Sequence, residues 1–269
     1  MHSFFDRFES TMHISHRGGA ALYPENTLLA FRFAVRSHHT DMLEIDVQLS
    51  TDGEVVVFHD EHLDRCTNLQ GPLSCQPWWK LREVDAGFHF SQDGGQTYPF
   101  RGQGLRIPRL IDVLETFPET PLNIELKGRD PALILAVSHI IRDAGATKRV
   151  CIGSERDEVG AALIDTLPEC VHFFPRGPLT EWVMGTRIGQ RVKPDPRFKV
   201  LDMPLRYEGI ELVDGHLVEA ARRDGLWLNV WTVNEPEDMA RLRELCVGGI
   251  MTDRPDLLRA ILDGKPIPQ

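Results

Sequence analysis

Along the chain, short apolar runs rich in β-branched residues alternate with longer stretches whose apolar positions recur at helical spacing. The runs predict strands over residues 13–16, 42–49, 122–127, 149–152, 171–174, 199–203, 227–231 and 249–252. The longer stretches predict helices over 27–37, 131–144, 158–166, 215–223 and 236–245. This strict alternation is the pattern of a parallel sheet with crossover helices. Closed into a ring, about eight strands make a (β/α)8 TIM barrel, here expected as one domain over residues 1–269. An open doubly wound sheet is the alternative that periodicity leaves standing.

Residues 60–104 break the rhythm, being rich in Gly, Pro, Gln and aromatics. So long a structureless loop is uncommon in a compact domain, so a small subdomain inserted after the second strand is expected over one end of the barrel. Its aromatics, Trp78, Trp79, Phe88, Phe90, Tyr98 and Phe100, are read as the insert's own core. The competing reading is an apolar lip beside the site.

Composition narrows the class. A hydrophobic fraction of 42% supports a sizeable core, and the formal charge of −10, without a Lys/Arg stripe, argues against a nucleic-acid partner. A small phosphate compound stays compatible with an acidic protein that concentrates a few cations locally. The five cysteines form no CxxC or Cys/His cluster, which fits reduced thiols. Asp6 and Glu9 interrupt the start of the chain, and no run approaches the roughly 20 apolar residues of a membrane helix. The expectation is a cytoplasmic protein without an integral membrane segment.

The chemistry begins at Leu43-Glu44-Ile45-Asp46-Val47-Gln48. Alternation puts Glu44, Asp46 and Gln48 on one face of the strand and Ile45 and Val47 on the other. Asn123, Glu125 and Lys127 share a face of the next barrel strand in the same way. If these faces turn inward, the three carboxylates Glu44, Asp46 and Glu125 repel one another unless a cation lies between them. Such a set is a hard oxygen site, suited to one divalent ion, Mg²⁺ or Ca²⁺, rather than to zinc. Polar faces turned to solvent are the equal alternative from pattern alone.

Two histidines tip the balance. His16 ends the first strand before Arg17-Gly18-Gly19, and His59 ends the β-rich run 55–58. At the C-terminal end of a barrel strand, where βα loops build active sites, such a pair supplies a general acid and a general base near neutral pH.

These pieces come in a recognisable order: His16-Arg17-Gly18-Gly19, Pro24-Glu25-Asn26-Thr27, Glu44-Ile45-Asp46-Val47, Asp52-Gly53, His59-Asp60 and Ile124-Glu125-Leu126-Lys127, then Trp231-Thr232-Val233-Asn234 and Thr252-Asp253-Arg254-Pro255. In order and spacing the chain resembles the glycerophosphodiester phosphodiesterases over nearly its whole length. The resemblance implies His16 and His59 as the catalytic histidines and Glu44, Asp46 and Glu125 as metal carboxylates. It implies Arg17 and Lys127 as contacts to the substrate phosphate and Trp231 as an aromatic near the alcohol moiety. It also places Glu25 near the metal site as a secondary ligand or orienter, while Asn26 or Thr27 caps the helix that follows. Asp253 is read as a helix-start residue.

The activity so implied is hydrolysis of a small glycerophosphodiester to sn-glycerol 3-phosphate and an alcohol. A phospholipase D-like activity on lysophospholipids is the nearest rival. A catalytically dead phosphate- or polyol-binding barrel is the rival from outside the enzymes.

Overall fold

The structure is a computed structural model that describes residues 4–5, 8 and 10–268. In chain order, strand β1 (Met12–His16) leads to helix α1 (Leu28–Arg36), β2 (Met42–Leu49) and the short β3 (Val55–Val57). The excursion that follows carries α2 (Trp78–Leu81) and returns through α3 (Leu110–Thr116) to β4 (Leu122–Leu126). Then come α4 (Pro131–Asp143), β5 (Val150–Gly153), α5 (Asp157–Thr166), β6 (Val171–His172), α6 (Arg176–Arg187) and β7 (Val200–Pro204). A small hairpin, β8 (Arg206–Tyr207) with β9 (Ile210–Glu211), precedes α7 (Gly215–Arg223), β10 (Trp227–Trp231), α8 (Pro236–Glu244), β11 (Gly249–Thr252) and α9 (Pro255–Leu262).

Eight strands pair in parallel in the order β6-β5-β4-β2-β1-β11-β10-β7, and a parallel bridge between Phe173 and Val200 joins the two ends. This nearly closed ring with helices outside is the (β/α)8 barrel, and the open doubly wound alternative falls away. Each expected strand lies at a barrel position. The helices α2, α3, α6 and α9 fall outside the expected set. The sequence of α6, RGPLTEWVMGTR, carries two glycines, a proline and two threonines, yet burying Trp182 and Val183 holds it helical.

Strand alternation sorts the core into two shells. Ile45, Val47, Ile124 and Ile152 point outward and pack with Phe31, Val137 and Leu163 from the helices. Met12, Ile14, Met42, Cys151, Val171, Val200 and Met251 cluster with Phe4 and Phe5. Phe5 stacks on Trp227, the first residue of β10, at 4.6 Å between ring centroids, and so helps close the N-terminal end of the barrel. Binding chemistry is thereby confined to the other end.

The excursion after β3 has its own apolar cluster, Val56, Phe58, Leu63, Leu73, Leu81, Val84, Ala86 and Ile107. Phe90 meets Phe100 edge-on, Phe100 meets Tyr23, and the Arg101 guanidinium lies over the rings of Phe88 and Tyr98. Trp79 is mostly exposed. Among the described residues no helix is long and apolar enough to cross a membrane, and all five cysteines are free thiols.

The turn after β1 is where the fold first constrains the site. Gly18 holds a φ of +84°, and a Cβ there would meet Phe31 at 2.8 Å and Ala30 at 2.9 Å. No side chain fits that left-handed position against α1. Gly18→Ala is expected to cost about 1–3 kcal/mol in urea unfolding, from backbone strain plus overpacking. A loss under ~0.5 kcal/mol, the size of an ordinary surface substitution, would show that the turn relaxes freely.

Candidate active site

Register assembles the carboxylates. His16 lies beside Glu44 across β1–β2, Glu44 beside Asn123 and Asp46 beside Glu125 across β2–β4. Glu44 and Asp46 are 6% and 1% exposed, so the acidic face of β2 turns into the barrel and not to solvent. One oxygen from each of Glu44, Asp46 and Glu125 lies within 4.8 Å of the others.

Local conformation places the groups around them. Arg17 adopts a φ of 51°, which turns its backbone N–H to donate to Glu44 Oε2 at 3.0 Å. Its guanidinium then reaches Glu25 Oε1 at 3.0 Å and Asp46 Oδ2 at 3.3 Å. Thr27 is the cap of α1, accepting from Ala30 N, and this leaves the Asn26 amide to donate to Asp46 Oδ2 at 3.0 Å. Lys127 Nζ lies 2.7 Å from Glu125 Oε2 and 3.1 Å from Asp46 Oδ1.

His59 reaches the site by a route the sequence reading did not foresee. It does not end a barrel strand: β3 is antiparallel to β2 and returns the chain toward the barrel mouth. Phe58 N then donates to Asp46 O, and Gln48 Nε2 donates to the carbonyls of Phe58, His59 and Asp60 at 2.7–3.1 Å. Gln48 shares a strand face with the two carboxylates, and its signal was that same alternation.

Each imidazole is backed by an aspartate. His16 Nδ1 and Asp253 Oδ1 are 2.7 Å apart, as are His59 Nδ1 and Asp60 Oδ1. Asp253 is therefore not a helix-start residue: Arg254 occupies the cap position of α9, and Asp253, held also by the Asn234 amide, orients His16. Asp60 in turn takes two bonds from Arg65, whose other donors grip both oxygens of Glu25. Glu25 thus ties Arg17 to Arg65 and stands outside the cluster of Glu44, Asp46 and Glu125. Arg65 gave no sequence signal, because its partners come from distant loops.

The charges are tightly balanced. Burial and the neighbouring Asp46 push the Glu44 carboxyl up to about 8, despite His16, Arg17 and Lys127. Burial works the same way on Asp46, but Lys127 and Arg17 outweigh it and hold that carboxyl below its usual range. Burial raises Glu125, against the pull of Lys127. For His16, burial opposes protonation, yet Glu44 and the bond to Asp253 keep its pKa above 6.5. A divalent cation suits these residues: three hard oxygen donors converge, and Asp46 Oδ1 is buried without a hydrogen bond although Lys127 lies close.

Beside this polar half lies a cavity of about 500 Å³. His16, Arg17, His59 and Lys127 line one side; Leu179 and Met184 of α6, Tyr207 of the hairpin and Trp231 line the other. Trp231 therefore lines the same cavity as both histidines. None of the six aromatics of the excursion lines it, so the apolar wall belongs to α6 and the β8–β9 hairpin instead.

The profile of the glycerophosphoryl diester phosphodiesterase family matches residues 16–257, which takes in both histidines, all three carboxylates and Asp253. The chain belongs to this family. A glycerophosphodiester phosphodiesterase of Caldanaerobacter subterraneus is 31% identical to it, over 92% of this chain and 96% of the relative. A human protein named lysophospholipase D is 29% identical over 93% of this chain and 85% of the relative. Among solved structures, a glycerophosphodiester phosphodiesterase of Agrobacterium tumefaciens is 29% identical, with a TM-score of 0.71 and coverage of 93% of this chain and 99% of that one. As a member of the family, the protein is a phosphoric diester hydrolase.

The Glu44 carboxyl in this phosphodiesterase sets a proton linkage. Because burial and Asp46 raise this carboxyl, uptake of Mg²⁺ or Ca²⁺ is expected to release protons and to weaken as pH falls. Calorimetry in two buffers of different ionisation enthalpy reads that release directly. A folded-state pKa raised above the unfolded value favours folding at low pH, and this contribution is lost as pH rises through about 8. Glu44→Gln should therefore raise the melting temperature of the metal-free protein above pH 8 and abolish the proton release; an unchanged release would place the titration elsewhere.

Proposed function

We propose that this protein hydrolyses glycerophosphodiesters to sn-glycerol 3-phosphate and an alcohol, with one divalent metal ion and two histidines. The observation that carries the reading is the pair of aspartate-backed imidazoles on the rim of one cavity, flanking three convergent carboxylates. Glu44, Asp46 and Glu125 would hold the ion, which supplies charge neutralisation at the phosphate oxygens when bound. Arg17 and Lys127 contact the same phosphate and offset charge that builds up in the transition state. Asp253 and Asp60 fix the Nδ1 sides of His16 and His59, leaving each Nε2 for proton transfer. One histidine takes the proton of the nucleophile, and the other protonates the departing alcohol oxygen.

Glycerol 3-phosphate release from glycerophosphocholine, with EDTA and after returning Mg²⁺ or Ca²⁺, tests this reading. Chelation is expected to abolish turnover and the ion to restore it; full turnover in chelator would refute the metal assignment. His16→Ala and His59→Ala should each lower kcat by roughly 10²–10⁴ while metal affinity stays nearly unchanged. The two losses should not multiply, since both groups serve one transition state.

A second reading, lysophospholipid as substrate, is favoured by one feature of the mouth. Met184 and Tyr207 line the cavity while standing 54% and 62% exposed. Ile188 lies one turn beyond Met184, and Ile210 lies opposite Tyr207 in the hairpin, at 70% and 64% exposure. This apolar rim could carry an acyl chain outward from the glycerol. Comparing kcat/KM for lysophosphatidylcholine and glycerophosphocholine, before and after Ile188→Glu and Ile210→Glu, separates the two. A selective loss on the lysolipid supports this reading; equal rates throughout leave the short diester as the substrate.

A further inference from the structure

One side chain lies outside both the cavity lining and the carboxylate cluster, yet makes four charged hydrogen bonds beside them. Arg65 Nε donates to Asp60 Oδ2 at 2.6 Å, and its Nη2 donates to Asp60 Oδ1 at 2.9 Å. Its Nη1 and Nη2 donate to Glu25 Oε2 and Oε1, both at 2.7 Å. One planar guanidinium thus takes two carboxylates fork to fork, which the point charge of a lysine cannot do.

The two acids differ in what else holds them. Glu25 is also gripped by Arg17, whose backbone N–H is tied to Glu44 just beyond the end of β1. Asp60 lies in the excursion, and among the described residues its carboxylate bonds only to His59 and Arg65. Burial disfavours its charge, but the bonds from His59 and Arg65 outweigh burial and hold its carboxyl well below the usual range. The other backing aspartate needs no such cation. Asp253 is held by the Asn234 amide, which is itself pinned by Thr252 Oγ1 and the Asp253 backbone N–H. Without Arg65, the Asp60 carboxylate would keep only the imidazole that it orients.

The excursion fixes the arginine from both sides. Leu63 is buried in the excursion's own apolar cluster, and Thr67 donates its hydroxyl to Leu63 O at 2.8 Å across the turn that bears Arg65. Leu63 N donates to Gly71 O and Leu73 N to Glu61 O, which closes the loop. The Arg65 side chain is nonetheless 51% exposed, and ion pairs so open to water add little to folding. Four aligned bonds at such a place point to position and not to stability.

We propose that Arg65 is a positioning residue for the reaction: it clamps Asp60 to Glu25 and so holds His59 by its Nδ1, leaving Nε2 for the proton transfer. The excursion then serves the site through this one guanidinium and not through its aromatics. The inference rests on the reading of His59 as a proton-transfer group.

The test measures kcat for glycerophosphocholine in the metal-loaded protein. Arg65→Met is expected to lower kcat by ~10- to 100-fold, the loss that a misplaced catalytic group causes, with KM, metal affinity and melting temperature nearly unchanged. Asp60→Ala should lose at least as much, and the double variant no more than Asp60→Ala alone, because the arginine acts through the aspartate. Arg65→Lys keeps the charge without the fork and should stay nearer to Arg65→Met than to the unmodified protein; it also carries the comparison if Arg65→Met does not fold. Long-range proton–nitrogen spectra at alkaline pH give a readout free of turnover. His59 should hold its proton on Nδ1 in the unmodified protein and be shared between Nδ1 and Nε2 tautomers in Arg65→Lys. A kcat in Arg65→Met within ~2-fold of the unmodified protein, full activity in Arg65→Lys, losses that multiply in the double variant, or an unchanged His59 tautomer would each overturn the clamp. Absence of metal-dependent glycerol 3-phosphate release by the unmodified protein would instead defeat the parent reading, and the tautomer would still decide the clamp.

Discussion

Two carboxylates on alternate positions of one buried strand repel each other, and most of the site is arranged around that repulsion. Glu44 and Asp46 lie inside the barrel with Glu125 beside them, and burial alone would drive all three to their neutral forms. Arg17, Lys127 and the Asn26 amide offset part of the charge at Asp46. Glu44 carries the remainder as a raised pKa. A hard divalent cation would relieve what these groups leave over.

The same arrangement explains why loops distant in sequence are held so firmly. Arg17 and Arg65 grip Glu25, Arg65 grips Asp60, and Asp60 grips His59. Gln48 fixes the backbone on either side of His59 from the strand that bears the carboxylates. Asp253 does for His16 what Asp60 does for His59. The imidazoles are thus held in place by aspartates from distant parts of the chain.

The cavity is divided by strand. β1, β2 and β4 bring charge, while β6, β7, β10 and helix α6 bring rings, methionines and aliphatic side chains. A phosphodiester has the matching division, a charged centre with organic groups on either side. Asp202 and Arg176 carry charge within the less polar half, Asp202 on β7 held by two amides.

Much of this was legible in the sequence. Period-two runs alternating with helical stripes marked a parallel sheet with crossover helices, whose strands Glu-Ile-Asp-Val and Asn-Ile-Glu-Leu have one polar and one apolar face, and left the closed barrel and the open sheet both standing. The spacing of His16, Glu44, Asp46, His59 and Glu125 likewise marked a family. Tertiary structure decided which way the acidic faces turn, since alternation is symmetric between inside and outside. It decided that β3 doubles back to deliver His59, because short runs do not declare their direction. It set the apolar wall of the cavity on α6, whose glycines and proline obscure its helical stripe until Trp182 is buried. Arg65, Asp253 and Asp202 gained their partners only on closure of the ring, because hydrogen bonds between side chains 27 to 237 residues apart leave no local period to read.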